Sequence, residues 1–355
     1  MVVKQRDSNL ELYRIIIMIL IVAHHYVVNS GLNVVMSQDP TSFKSLYLYV
    51  FGMWGKTGIN CFVLITGYFM CKSAITLRKF TKLILWLLFY NVAIYFIFLA
   101  CGYVNFSFIA LFKALLPVKD ITDGFTSCFI VFYLTIPFLN ILINSMNKQQ
   151  HQWLLVLSLF IYTFWAQIPF FNVRMNYVVW FGILYLISSY LRIYGVCANV
   201  GYKKWGWLTL CTVLVSIITV LAIIYSDINL TPYYFVSDSN AIFAVVVSVC
   251  SFLFFKNLPF GYNKWINSIG ASTFGVLLIH ANSDTMRQWL WKDALNNIGH
   301  YADNIYLHSI ISVIGVFFIC IIIDQLRIRF IEKPLFKVLD SYMEKRDNHF
   351  FFRWK

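Results

Sequence analysis

Charge is scarce in this sequence, and acidic charge scarcest. Only 15 Asp and Glu stand against 28 Lys and Arg in 355 residues; charged types make up 12% of the chain and apolar types 60%. Soluble domains carry roughly twice that share of charge, so a water-facing globular protein is excluded. The eight cysteines are scattered singly, with no Cys-x-x-Cys pair and no histidine cluster beside them. That excludes a disulfide framework and a zinc site, and leaves the cysteines as inert packing residues within helices. Alternating segments of about ten residues are absent, which excludes a transmembrane β-barrel. No small-residue cleavage site precedes a soluble domain, so the first apolar run reads as a retained helix and not a secretory signal. Internal repeats and low-complexity linkers are also missing. One polytopic domain over residues 1–340 and a short basic, aromatic tail over 341–355, lying at the membrane surface, account for the chain.

What is present is a series of apolar runs of about 17 to 25 residues, the length that crosses the hydrocarbon core as a helix. Their centres fall near Leu20, Phe62, Asn91, Leu134, Leu159, Leu184, Val215, Val247, Gly275 and Phe317. Placing the N-terminus in the cytoplasm leaves Lys44, Lys113, Lys119, Arg174, Arg287 and Lys292 outside and Lys56 at the start of the second helix, with every other Lys and Arg inside. The positive-inside rule therefore favours that orientation. The expected fold is an all-α integral membrane bundle of about ten transmembrane helices, both termini cytoplasmic. The net charge of +13 follows from basic loops facing anionic lipid and needs no nucleic-acid partner. The stretch from Phe106 to Leu116 is too short to span and reads as an interfacial or re-entrant helix on the outer face.

The first helix carries the costliest residues to place. Glu11, Arg14 and His25 lie within its apolar run. Eleven helical steps bring His25 to within about 20° of the Arg14 face, about 16 Å further along, with Glu11 on the same stripe and His24 rotated by about 100°. Ionisable groups inside a span mark function when they face a bundle interior. Arg14 either serves that role or snorkels to the cytoplasmic surface, neutralised by Glu11. His25 suits general-base chemistry, because an imidazole exchanges its proton near neutral pH. The rise between the two residues matches the reach of a pantetheine arm, so phosphates at Arg14 could deliver a thioester to His25. Arg78, Lys79 and Lys82 would add phosphate-binding charge on the same side, although topology alone also demands basic residues there.

These residues carry a resemblance. The spacing of Glu11, Arg14 and His25 resembles the opening of the membrane-bound acyltransferase-3 family. Residues Gly58–Phe69 resemble its second-helix segment, with Thr66 at a usual serine, and Phe132–Asn140 its fourth-helix segment with Pro137. Residues Ser272–His280 are similar to its penultimate helix, with Leu277 at a usual tyrosine, and Ile323–Arg327 and Ile331–Leu335 match its close. The likeness is nearest to members serving bacterial surface polysaccharides. It implies a multi-pass protein of the bacterial cytoplasmic membrane that moves acetyl from cytoplasmic acetyl-coenzyme A, a substrate and not a resident cofactor, to a sugar hydroxyl of a surface or lipid-linked glycan. His25, grouped with Glu11, would be catalytic, as base or as acyl carrier; Arg14 would position the donor.

His280, with Asn282 after it, is either a second polar wall of the acceptor site or an interfacial histidine. Asp324 and Arg327 form either a local ion pair or part of the donor site. Glu332 and Lys333 read as surface charges, and His24, His151, His300, His308 and His349 as structural or solvated. Aromatic clusters such as Tyr47–Phe51 and Leu230–Phe235 form an interfacial belt or contact glycan. A transporter or flippase predicts polar residues along several helices, and a repeat-unit polymerase predicts a large arginine-bearing outer loop. The polar residues concentrate instead in the first and ninth helices.

Overall fold

The computed structural model describes residues 7–122, 124–171, 173–196, 199–226, 228–236 and 238–343, and among them every regular element is helical. The first, α1 (Ser8–Val28), carries Glu11 in its opening turn, where an acid complements the helix dipole. Its end is set by Asn29, whose amide bonds back to the His25 carbonyl, and by Gly31 at φ +86°, a left-handed turn that glycine adopts freely. Two short helices follow: α2 (Leu32–Gln38) and α3 (Phe43–Gly52), the latter capped by Ser42. A turn at Met53 and Trp54 leads into α4 (Gly55–Met70) and then α5 (Leu77–Ala100).

The helix expected within Phe106–Leu116 is α6 (Phe108–Leu115), capped by Ser107 and held to α5 through Tyr95. Phe108, Ile109 and Phe112 are exposed on its outer side, the pattern of a helix lying at an interface. Next come α7 (Phe125–Ser145), with Pro137 inside it, and α8 (Lys148–Leu159), opened by an Asn147–Gln150 capping box. A π turn (Phe160–Phe164) and a 3-10 turn (Trp165–Gln167) extend α8. The chain continues through α9 (Tyr177–Ile193), α10 (Tyr202–Ile224) and α11 (Ile242–Asn257).

The ninth apolar run is not one helix. It breaks at Ser272 into α12 (Lys264–Ala271) and α13 (Thr273–His280). Gln325 fixes the break by donating to the Ser268 carbonyl and the Ser272 hydroxyl, both at 2.8 Å. Then come α14 (Asp284–Gln288) with a π turn (Trp289–Ala294), α15 (Ile305–Arg327) with a π turn (Ile328–Glu332), and α16 (Lys333–Met343). The expected aromatic and basic tail lies outside the described residues.

Each of the ten expected centres falls inside a helix. Six spans are long and apolar enough to cross a membrane by length and composition: Ser8–Val28, Phe43–Met70, Leu77–Ala100, Phe125–Ser145, Tyr202–Ile224 and Ile305–Asp340. Two others, Tyr177–Ile193 and Ile242–Asn257, are apolar but shorter. The remaining runs, around Leu159 and Gly275, are interrupted by the π turn and by the break at Ser272.

The centre of the bundle is α1, which packs against α3, α4, α11, α12, α13 and α15. Its approach to α12 requires Gly270, because a Cβ there would sit 2.4 Å from a Glu11 carboxylate oxygen. By contrast, α10 lies at the periphery and exposes Leu210, Leu214, Val215 and Ile218, as a lipid-facing helix does. The helix that carries the ionisable residues thus also packs against six other helices.

Candidate active site

A cavity of about 980 Å³ opens beside α1. Arg14, Met18, Ile21 and His25 all line it, steps of four, three and four residues that trace one face of the helix. Across from them, Leu83, Leu87, Asn91 and Ile94 form the matching stripe of α5. The cavity therefore runs along the helix axes, with Arg14 towards one end and Ser283, Arg287, Lys113 and Lys119 at the other.

At the first end, Arg14 donates to Glu11 at 2.8 Å. An unpaired arginine at the centre of a spanning helix costs about 3 kcal/mol, and the carboxylate one turn earlier offsets part of that. Glu11 itself is 5% exposed. It lies about 21 Å of helix from His25, so the structure groups it with Arg14 and not with the histidine. Its role there is to hold the guanidinium against the cavity wall.

At His25 the hydrogen bonds define the tautomer. His280 Nδ1 lies 2.6 Å from the Val276 carbonyl oxygen, and a carbonyl only accepts, so that nitrogen carries the proton. In the neutral ring, His280 Nε2 is then a lone pair. It lies 2.9 Å from His25 Nδ1, which must donate. The remaining nitrogen of His25, Nε2, is left as an unprotonated acceptor on a residue that lines the cavity. His280 is fully buried and stands behind His25, off the cavity wall.

His24 reaches the same cavity from the neighbouring face of α1. Its Nδ1 donates to the Gly52 carbonyl at 2.6 Å. The α3–α4 turn presses against it, since a Cβ on Gly55 would fall 2.2 Å from the His24 ring. Helical phase distinguishes the two histidines, yet both line the cavity. Asn282 lines the cavity and donates to Asn91 at 3.1 Å and to the Leu278 carbonyl.

The three basic residues in the opening turns of α5 sit elsewhere. Arg78 pairs with Asp340, Lys79 donates to Ser73 and the Ala74 carbonyl, and Lys82 pairs with Glu332; none lines the cavity. Glu332 is no surface charge: its side chain is 11% exposed and also accepts from Arg327 at 2.8 Å. Arg327 pairs with fully buried Asp324 at 2.9 Å, which accepts in turn from Tyr90 and Trp86. Because Trp86 lines the cavity, this ionic network braces one of its walls.

Among the other histidines, His151 is buried against the Leu186 carbonyl. His308 bonds the Tyr26 hydroxyl and stacks on His300, while His349 lies outside the described residues. Tyr233 and Tyr234 pack on Tyr49 and donate to the Gln167 carbonyl respectively, so they serve the fold. Sequence reasoning missed Asn91, the polar residue midway along the apolar α5, whose position is the signal that should have flagged it. It also counted Lys56, Lys113, Lys119 and Arg287 only as markers of topology.

The chain thus has several helices long and apolar enough to cross a membrane, and it sets an arginine and an oriented histidine on one cavity between helices. The acyltransferase domain of the acyltransferase-3 family matches residues 7–324, and the chain belongs to that family. Comparison with curated proteins and with solved structures finds no match.

Proposed function

We propose that the protein is an O-acetyltransferase that moves acetyl from cytoplasmic acetyl-coenzyme A to a hydroxyl of a surface or lipid-linked polysaccharide in the bacterial cytoplasmic membrane. The observation that carries this reading is the hydrogen-bond relay from the Val276 carbonyl through His280 to His25. It leaves a basic nitrogen on the same cavity stripe as Arg14.

Arg14 holds phosphate oxygens of the donor, for which a guanidinium is suited by charge and by its fork of donors. The pantetheine arm then lies along the α1 stripe and brings the thioester to His25. His25 Nε2 accepts the proton of the sugar hydroxyl as its oxygen attacks the thioester carbonyl. The tetrahedral intermediate collapses, the C–S bond breaks, and the sulfur leaves with the proton that His25 returns. Donation from His25 Nδ1 to His280 steadies the ring through both transfers, as an orienting partner does for a catalytic histidine. If transfer runs in two steps, the same lone pair carries the acetyl group between donor and acceptor.

Replacing His25 by Ala should abolish acetylation of the cell-surface glycan while leaving the amount of protein in the membrane unchanged. Mass spectrometry of the glycan reads the acetyl increment, and a wild-type increment in His25→Ala would refute the assignment.

A further inference from the structure

The outer half of the cavity holds more positive charge than the chemistry at His25 requires. Four separate elements bring a cation to it: Lys56 from the first turn of α4, Lys113 from α6, Lys119 from the segment before α7, and Arg287 from α14. On α6 the selection is plain. Ala110, Lys113 and Ala114 line the cavity, while Phe108, Ile109 and Phe112 face away from the protein. A lysine placed only to orient a helix in the membrane has no need to share a cavity wall with two alanines.

These cations are also poorly neutralised. Among the described residues no carboxylate lies within ion-pair distance of Lys56, Lys113 or Lys119; Lys56 instead donates to the Tyr177 hydroxyl at 2.7 Å. Arg287 meets Asp284 at 3.2 Å, but that carboxylate is 97% exposed. Meanwhile Arg287 Nε is buried without a partner. Asp120 and Asp284 also line the cavity, so these four cations outnumber the acids there by two; like charges on one cavity repel one another, and an unpaired buried donor is costly. An anion in the outer half would relieve both. Lys56 and Arg287 line the same cavity as His25, so an anion held between them would share the cavity with the reacting centre.

Taking the proposed transferase reading as its basis, we infer that the acceptor is an anionic glycan. Its carboxylate or phosphate groups would be held by Lys56, Lys113, Lys119 and Arg287, placing a neighbouring hydroxyl at His25. The donor's own phosphates occupy the opposite end, at Arg14.

The test is calorimetric titration of the full-length protein in zwitterionic lipid nanodiscs. A galacturonic-acid oligomer supplies carboxylates, a phosphorylated glucan oligomer supplies phosphates, and a neutral galactose oligomer is the reference. At least one charged probe should bind about tenfold or more tightly than the neutral one, with an affinity that falls as salt rises; which probe binds identifies the anionic group. Lys113→Gln combined with Lys119→Gln should erase most of the preference, and the matching Lys→Arg pair should keep it. Equal affinity for all three probes, or an unchanged preference in the Gln pair, would overturn the inference and assign these cations to the lipid surface. Acetyl-coenzyme A titrated into the same samples reads the transferase proposal separately, because the donor end does not include these lysines.

Discussion

At His25 a helical wheel and a hydrogen-bond network answer different questions. The stripe through Glu11, Arg14 and His25 is legible in the sequence, because eleven residues make three turns of any α-helix. Which nitrogen of His25 is basic is not legible, because the partner that decides it lies 255 positions away. His280 could be seen only as a polar residue near the end of an apolar run, with a place on the acceptor wall or at the interface. The structure puts it behind His25. That arrangement predicts a positioning effect. His280→Leu removes the acceptor for His25 Nδ1, frees the ring to turn or to change tautomer, and should lower kcat about 100-fold with KM for acetyl-coenzyme A little changed. His280→Gln presents a carbonyl oxygen that can take over the acceptor role and should restore part of the rate. Equal loss in both variants, or a loss confined to KM, would count against orientation as the function of His280.

At the level of elements, the centres of the helices follow from hydrophobic runs, but their interruptions do not. The run around Gly275 is apolar enough to read as continuous. Its break at Ser272 is stabilised by Gln325 from α15, a tertiary contact with no local signal. Glu332 looked exposed because charged residues near a helix end usually are, whereas here Lys82 and Arg327 enclose it. The close passage of α12 over α1 yields the prediction at this scale. In Gly270→Val the new side chain meets the Glu11 carboxylate and forces the helices apart, costing about 1–3 kcal/mol. Because Glu11 holds Arg14, the variant should unfold at lower temperature in detergent and should bind acetyl-coenzyme A more weakly by calorimetry. A variant with unaltered donor affinity would separate the α1–α12 contact from the placement of Arg14.

Across the whole molecule, the proposed reaction depends on direction, since the donor is cytoplasmic and Arg14 must open towards it. The excess of basic residues on one side is the argument for the orientation expected from the sequence, and the cavity would give that orientation chemical meaning, with Arg14 and the other cations at opposite ends. A native cysteine can report which way the bundle faces. Cys101 is exposed just past the end of α5, the end from which the chain runs on to α6 and Lys113. Among the described residues the other exposed cysteine, Cys211, lies within the apolar α10, where hydrocarbon would keep it from a charged reagent. With both termini cytoplasmic, a membrane-impermeant maleimide should label the protein in intact cells stripped of their outer envelope, and Cys101→Ser should remove that label. If Cys101 reacts only after the membrane is opened, the bundle is inverted and Arg14 faces away from the cytoplasm. No transfer from cytoplasmic acetyl-coenzyme A could then follow the α1 stripe, however well His25 is oriented.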